Sequence, residues 1–138
     1  MKKSIIVLKM AAVMFTLFSC KSTHVQENIE GKTWELFAVN GVEAKAGDFS
    51  RDMPTITFGA DKSVSGHSGC NSYKGTYTLD DKGALTFSEV MSTKMYCPGD
   101  GESNFMKAFA KADKVIVEGS KLKLLDDSHE VLTFVQKK

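Results

Sequence analysis

From residue 31 onward the chain repeats one device: a short run in which apolar side chains alternate with polar ones, closed by a cluster of Gly, Asn, Asp or Ser. Period-two alternation buries one face of a strand and wets the other, and closely spaced turn residues return the chain antiparallel to itself. Lys32–Val39 carries Trp34 and Leu36 on one face and ends at Asn40-Gly41. Pro54–Phe58 points Ile56 and Phe58 inward, and a third run leads from Lys62 into a bend at Gly66. Tyr73–Leu79 turns through Asp80-Asp81-Lys82-Gly83 into Ala84–Val90, where Leu85 and Phe87 share a face. Lys114–Glu118, Lys121–Leu125 and Val131–Gln136 follow, joined by Gly119-Ser120 and by Asp126-Asp127-Ser128. The pattern predicts a mainly β, antiparallel sandwich or barrel of about eight strands.

One segment departs from that period. Between Glu102 and Ala112 the residues Phe105, Phe109 and Ala112 recur at i, i+4, i+7, with Met106 and Ala108 beside them, which predicts an amphipathic helix capped by Asp100 or Ser103. A single helix among strands must bury its apolar stripe on the sheet, so it is expected to plug or cover one end of the barrel.

The first nineteen residues read as a secretory signal, with Lys2 and Lys3 ahead of an apolar stretch from Ile5 to Phe18. Lys9 interrupts that stretch, which is shorter than the roughly 20 residues a membrane-spanning helix needs. Leu17-Phe18-Ser19-Cys20 resembles the lipobox of bacterial lipoproteins, in which the cysteine carries lipid and becomes the mature N-terminus. The expected organisation is a signal at 1–19, a lipidated polar tether at 20–30 and one domain at 31–138. The full chain has 18 basic and 17 acidic residues; removing Lys2, Lys3 and Lys9 leaves 15 against 17, a charge of −2. A near-neutral surface without a basic stripe argues against a nucleic-acid partner.

Glycines at 66, 69 and 75 allow positive φ or close backbone approach, and Tyr73, Gly75 and Tyr77 alternate as one strand face, so a tight bend feeds a strand there. Cys70 sits in that bend, and Cys97 lies 27 positions on. With Cys20 lipidated, an even pair remains for an oxidising compartment. Closing a loop of that size is worth roughly 3 to 4 kcal/mol in the chain-entropy model. Buried thiols and a redox pair are the alternatives.

Ser68-Gly69-Cys70-Asn71-Ser72-Tyr73 with Gly75-Thr76-Tyr77, then Leu85-Thr86-Phe87, Thr93-Lys94-Met95 with Cys97-Pro98, and Leu122, Leu124, Leu132 and Phe134 near the end resemble the META domain family of HslJ-like proteins over residues 30 to 136. The resemblance implies a compact barrel of lipocalin-like topology with a packed helix, in secreted or lipid-anchored bacterial envelope proteins linked to stress responses, and no established reaction. Asn71, Tyr73, Tyr77 and Lys94 stand in its motifs as possible binding residues.

Chemistry can be sought at three places. His67, Cys70, Met95 and Cys97 offer a soft metal set that a disulfide would dismantle, and His24 and His129 fall in the tether and in a turn. Cys70 with His67 as base would be a thiol nucleophile. Asp80-Asp81 and Asp126-Asp127 are carboxylate pairs beside turn residues, where a solvated hairpin tip is the commoner role. The reading is therefore a non-enzymatic envelope lipoprotein without metal or cofactor, monomeric, binding a protein or a small apolar ligand; a thiol- or metal-dependent enzyme built on the Cys70/Cys97 bend is the alternative. Lys21-Ser22-Thr23 is not acidic, which resembles lipoproteins kept on the periplasmic side of the outer membrane.

Overall fold

Residues 24–138 are described by the computed structural model; Cys20 and the signal segment lie outside the described residues. Strand β1 (Thr33–Val39) shows how the alternation is used: Trp34, Leu36 and Ala38 are buried while the residues between them are partly exposed. Asn40 and Gly41 both take positive φ, 48° and 77°, so a two-residue turn folds β2 (Val42–Glu43) back onto β1. This short strand adds a ninth to the eight that the alternation predicts, because both of its residues are exposed and carry no apolar pattern.

Strands β3 (Thr55–Phe58), β4 (Ser63–His67), β5 (Ser72–Leu79) and β6 (Leu85–Ser92) form an antiparallel meander. The chain then crosses in helix α2 (Gly101–Lys111) to a second meander of β7 (Lys114–Glu118), β8 (Lys121–Asp126) and β9 (His129–Gln136). The sheet order is β6-β5-β4-β3-β1-β9-β8-β7, so β1 sits at the centre and joins the two meanders. The sheet curls into a half-barrel whose terminal strands meet at one place: Leu85 N–H donates to Asp113 O and Val115 N–H to Gly83 O, each at 2.8 Å. Beyond that clasp β6 is a free edge.

The helix starts one residue earlier than the periodicity predicts, and Asp100 occupies the cap position without a side-chain bond. Phe105, Ala108 and Phe109 are its buried face. Phe109 stacks on Phe87 with centroids 4.2 Å apart and lies 5.2 Å from the Tyr73 ring, so the helix closes over the inner side of β5 and β6. Burying each phenylalanine contributes roughly 1.5 to 3 kcal/mol, which holds a helix too short to persist alone.

Two expectations are corrected. The stretch through Glu30, read as a polar tether, contains helix α1 (His24–Ile29), whose Ile29 is fully buried, and Glu30 bridges to Phe58. Val25 and Ile29 lie one helical turn apart and share the core, a signal too short to register as a periodicity. His129, placed in a turn by its sequence neighbours, is the first residue of β9 and pairs with Asp126. Asp127 adopts φ 55°, which completes the hairpin in two residues, Asp127 and Ser128.

Candidate functional site

The motif residues converge where the β4–β5 bend meets the segment between β6 and α2. Gly69 takes φ 102°, and a Cβ there would stand 2.3 Å from the Phe49 ring, so the bend can form only with glycine. The turn leaves Cys70 buried and joined to Cys97 by a disulfide with Cα atoms 6.0 Å apart.

Asn71 is the hub of the cluster and is 5% exposed. Its Oδ1 accepts from Thr93 Oγ1 at 2.8 Å and from Met95 N–H at 2.7 Å. Its Nδ2 donates to Met95 O and to both carboxylate oxygens of Glu102, at 3.1 Å each. The Asn71 backbone N–H donates to Glu102 Oε1 at 3.0 Å, and Ser68 Oγ donates to the same oxygen. An asparagine in a bend commonly bonds its own backbone; this one instead ties the bend to the 93–97 segment and to the first turn of α2. Sequence reasoning missed Glu102, whose only trace is an acidic residue at a helix start, a position favoured by the helix dipole in any case.

Tyr73 and Tyr77, both read as possible binding residues, face inward. The Tyr73 hydroxyl donates to Thr55 O at 2.8 Å, and burial pushes its phenol up from the ordinary value. The Tyr77 hydroxyl lies 3.0 Å from Gly59 O and 3.1 Å from Glu30 Oε1; burial, then the neighbouring Glu30 carboxylate, raises it likewise. The same carboxylate meets Lys62 Nζ at 3.1 Å, and the hydrogen bond from Lys62 is the chief reason Glu30 is held below the usual carboxylate range. Lys94 is exposed beside Met95 and Tyr96, which are 48% and 92% exposed.

The other chemistry-bearing residues are occupied with structure. His67 accepts the Gly69 N–H on Nδ1 at 3.1 Å, inside its own bend. Asp80 Oδ1 accepts the N–H groups of Lys82 and Ala84, at 2.9 and 2.8 Å, and so shapes the hairpin. Asp126 pairs into β8, and Asp127 forms the next turn. Among the described residues no group of three or more His, Cys, Asp and Glu side chains is placed to hold a metal ion. No helix among them is long and apolar enough to cross a membrane.

An open groove lies elsewhere. Where β6 leaves the clasp, a groove of about 560 Å³ opens between that strand and α2. Leu85, Phe87 and Val90 wall it on one side, and Met106, Phe109 and Ala110 on the other. Nothing in the local sequence marks it, because its two walls come from elements that the chain specifies separately.

Solved structures share this architecture. One NMR structure has TM-score 0.64 at 24% identity, covering 79% of this chain and 92% of its own. Another, of a protein from Burkholderia xenovorans, has TM-score 0.63 at 23% identity, covering 100% of this chain and 99% of its own. A crystal structure of a DUF4847 family protein from Bacteroides vulgatus has TM-score 0.60 at 18% identity, covering 83% and 98%. At these identities the likeness is one of fold. No curated protein sequence matches the chain significantly. The META domain model matches residues 27–138, which takes in the end of α1, every strand and the motif cluster at Asn71, and the chain therefore belongs to the META domain family.

Proposed function

We propose that this is a lipid-anchored, non-catalytic protein of the bacterial cell envelope, held by Cys20 on the periplasmic side of the outer membrane. Its META domain acts as a monomeric binding module for a protein or a small apolar molecule, in stress tolerance or envelope maintenance. One observation carries the binding reading. The polar side chains that the motif gathers around Asn71 are engaged with one another, whereas apolar side chains of β6 and α2 line an open groove. A thiol enzyme is disfavoured because Cys70 and Cys97 hold each other, and a nucleophile needs a free sulfur with a base in reach. The anchoring part rests on the lipobox alone.

Two measurements test the reading. Cys20→Ala should move the protein from the membrane to the soluble fraction; a variant still processed at the same bond and still membrane-bound would refute the anchor. Purified residues 21–138 should bind an apolar fluorescent dye at the groove and turn over no substrate. A reaction abolished by His67→Ala without loss of fold would return the enzyme reading to first place.

A further inference from the structure

The free edge of β6 carries more information than the volume beside it. Asp80 N–H donates to Ala84 O, and the β5–β6 register runs Leu79 to Leu85, Tyr77 to Phe87 and Thr76 to Ser88. In an antiparallel ladder, pairs that exchange hydrogen bonds alternate with pairs that do not. Ala84, Thr86 and Ser88 therefore turn their main-chain groups toward β5, while Leu85 and Phe87 turn theirs outward. Two bonds agree with this parity: Leu85 N–H reaches out to Asp113 O, and Tyr77 N–H points away from β6, to Lys62 O. By this parity the N–H and C=O of Phe87, two residues beyond the clasp, face away from β5 beside the groove, where no other strand of the sheet pairs with β6.

We propose that this groove takes an extended peptide segment of another protein, paired with β6 at Phe87, between the clasp and the Glu89 bulge, and covered by Met106, Phe109 and Ala110 of α2. The proposal rests on the binding-module reading and names its partner class. A hydrocarbon could fill the apolar walls but cannot satisfy the outward N–H and C=O of Phe87, whereas an extended main chain can, with alternate side chains directed onto the walls. The length is limited by the fold. Glu89 takes φ 53° where the β5–β6 register shifts, and such a bulge bends the strand and ends regular pairing. The Glu89 side chain is exposed at that exit, so the segment that fits has apolar residues at alternate positions and a basic residue where it passes Glu89.

The test uses residues 21–138 and a blocked peptide, acetyl-Thr-Val-Thr-Val-Lys-amide, followed by NMR. Binding should shift the Phe87 amide resonance and slow its hydrogen exchange about tenfold or more at saturation. A peptide N-methylated on alternate residues should bind at least about tenfold more weakly, since it cannot pair with the strand. Ala110→Arg, at an exposed helix position on the groove wall, should weaken the parent peptide similarly without changing the melting temperature. Equal binding of the N-methylated peptide, or an unchanged Phe87 amide, overturns the proposal. Protection of Phe87 by concentration-dependent dimerisation without peptide also overturns it, in favour of a second copy. If an anilinonaphthalene dye binds and Ala110→Arg blocks it while the peptide leaves β6 unaffected, the peptide inference fails and the binding-module reading stands. If neither binds, both fail.

Discussion

The Glu102 carboxylate, in the first turn of α2, takes both the backbone N–H of Asn71 at 3.0 Å and its side-chain Nδ2 at 3.1 Å. One acidic side chain thereby fixes where the helix begins relative to the bend before β5. From that starting point Phe105 and Phe109 fall onto Tyr73 and Phe87.

Asn71→Ala should consequently destabilise the domain by roughly 2 to 3 kcal/mol, since it leaves the Glu102 carboxylate and the Met95 main chain short of partners in a part-buried site. Urea unfolding of Asn71→Ala, Glu102→Gln and the double variant would form a double-mutant cycle. We expect a coupling of roughly 1 kcal/mol or more, and additive effects would show that the two residues act separately.

Removing the disulfide by Cys70→Ala with Cys97→Ala should cost roughly 3 to 4 kcal/mol through the unfolded state, out of a total of about 5 to 15 kcal/mol for a domain of this class. The far-UV circular dichroism should stay β-like, because Thr93 and Met95 remain bonded to Asn71 and the alternating faces are untouched. Loss of the β spectrum at room temperature would contradict this.

Stability should fall in acid partly through Glu30. Its carboxyl is held below the ordinary value of 4.5, first by the hydrogen bond from Lys62 and also by Tyr77. A carboxyl lowered in the folded state stabilises fully above its unfolded pKa and loses that contribution as the pH drops through the folded value. The stability gap between wild type and Glu30→Gln should therefore be constant near neutrality and narrow below pH 4.5. A gap that stayed constant across the acid limb would show that Glu30 does not contribute to it.

Gly66→Ala should destabilise the fold by roughly 2 to 3 kcal/mol. A Cβ there would stand 2.0 Å from Thr55 O and 2.6 Å from the Tyr73 hydroxyl, the two atoms joined by a hydrogen bond at 2.8 Å. Tyr73→Phe removes only the hydroxyl, so it should not rescue Gly66→Ala; rescue would mean that the main-chain contact yields more easily than the geometry indicates.

What the sequence determined by itself is what depends on neighbours in the chain. The alternation of Trp34 with Leu36 and of Ile56 with Phe58, the Asn40-Gly41 turn, and the 105–109–112 stripe each follow from local geometry, and the structure keeps all of them. The motif around Cys70 and Asn71 carried the family. Tertiary structure alone decided the partners of those residues. Asn71 and Glu102 are 31 positions apart, and they meet only because the curl of the sheet and the crossing of α2 bring the bend under the helix start. The same holds for Ile29, whose burial depends on the curled sheet and not on its polar neighbours, and for the gap beside β6. Strand periodicity states which face is apolar; it does not state where two strands from opposite ends of a sheet stop pairing, because that follows from the stagger accumulated over the whole sheet.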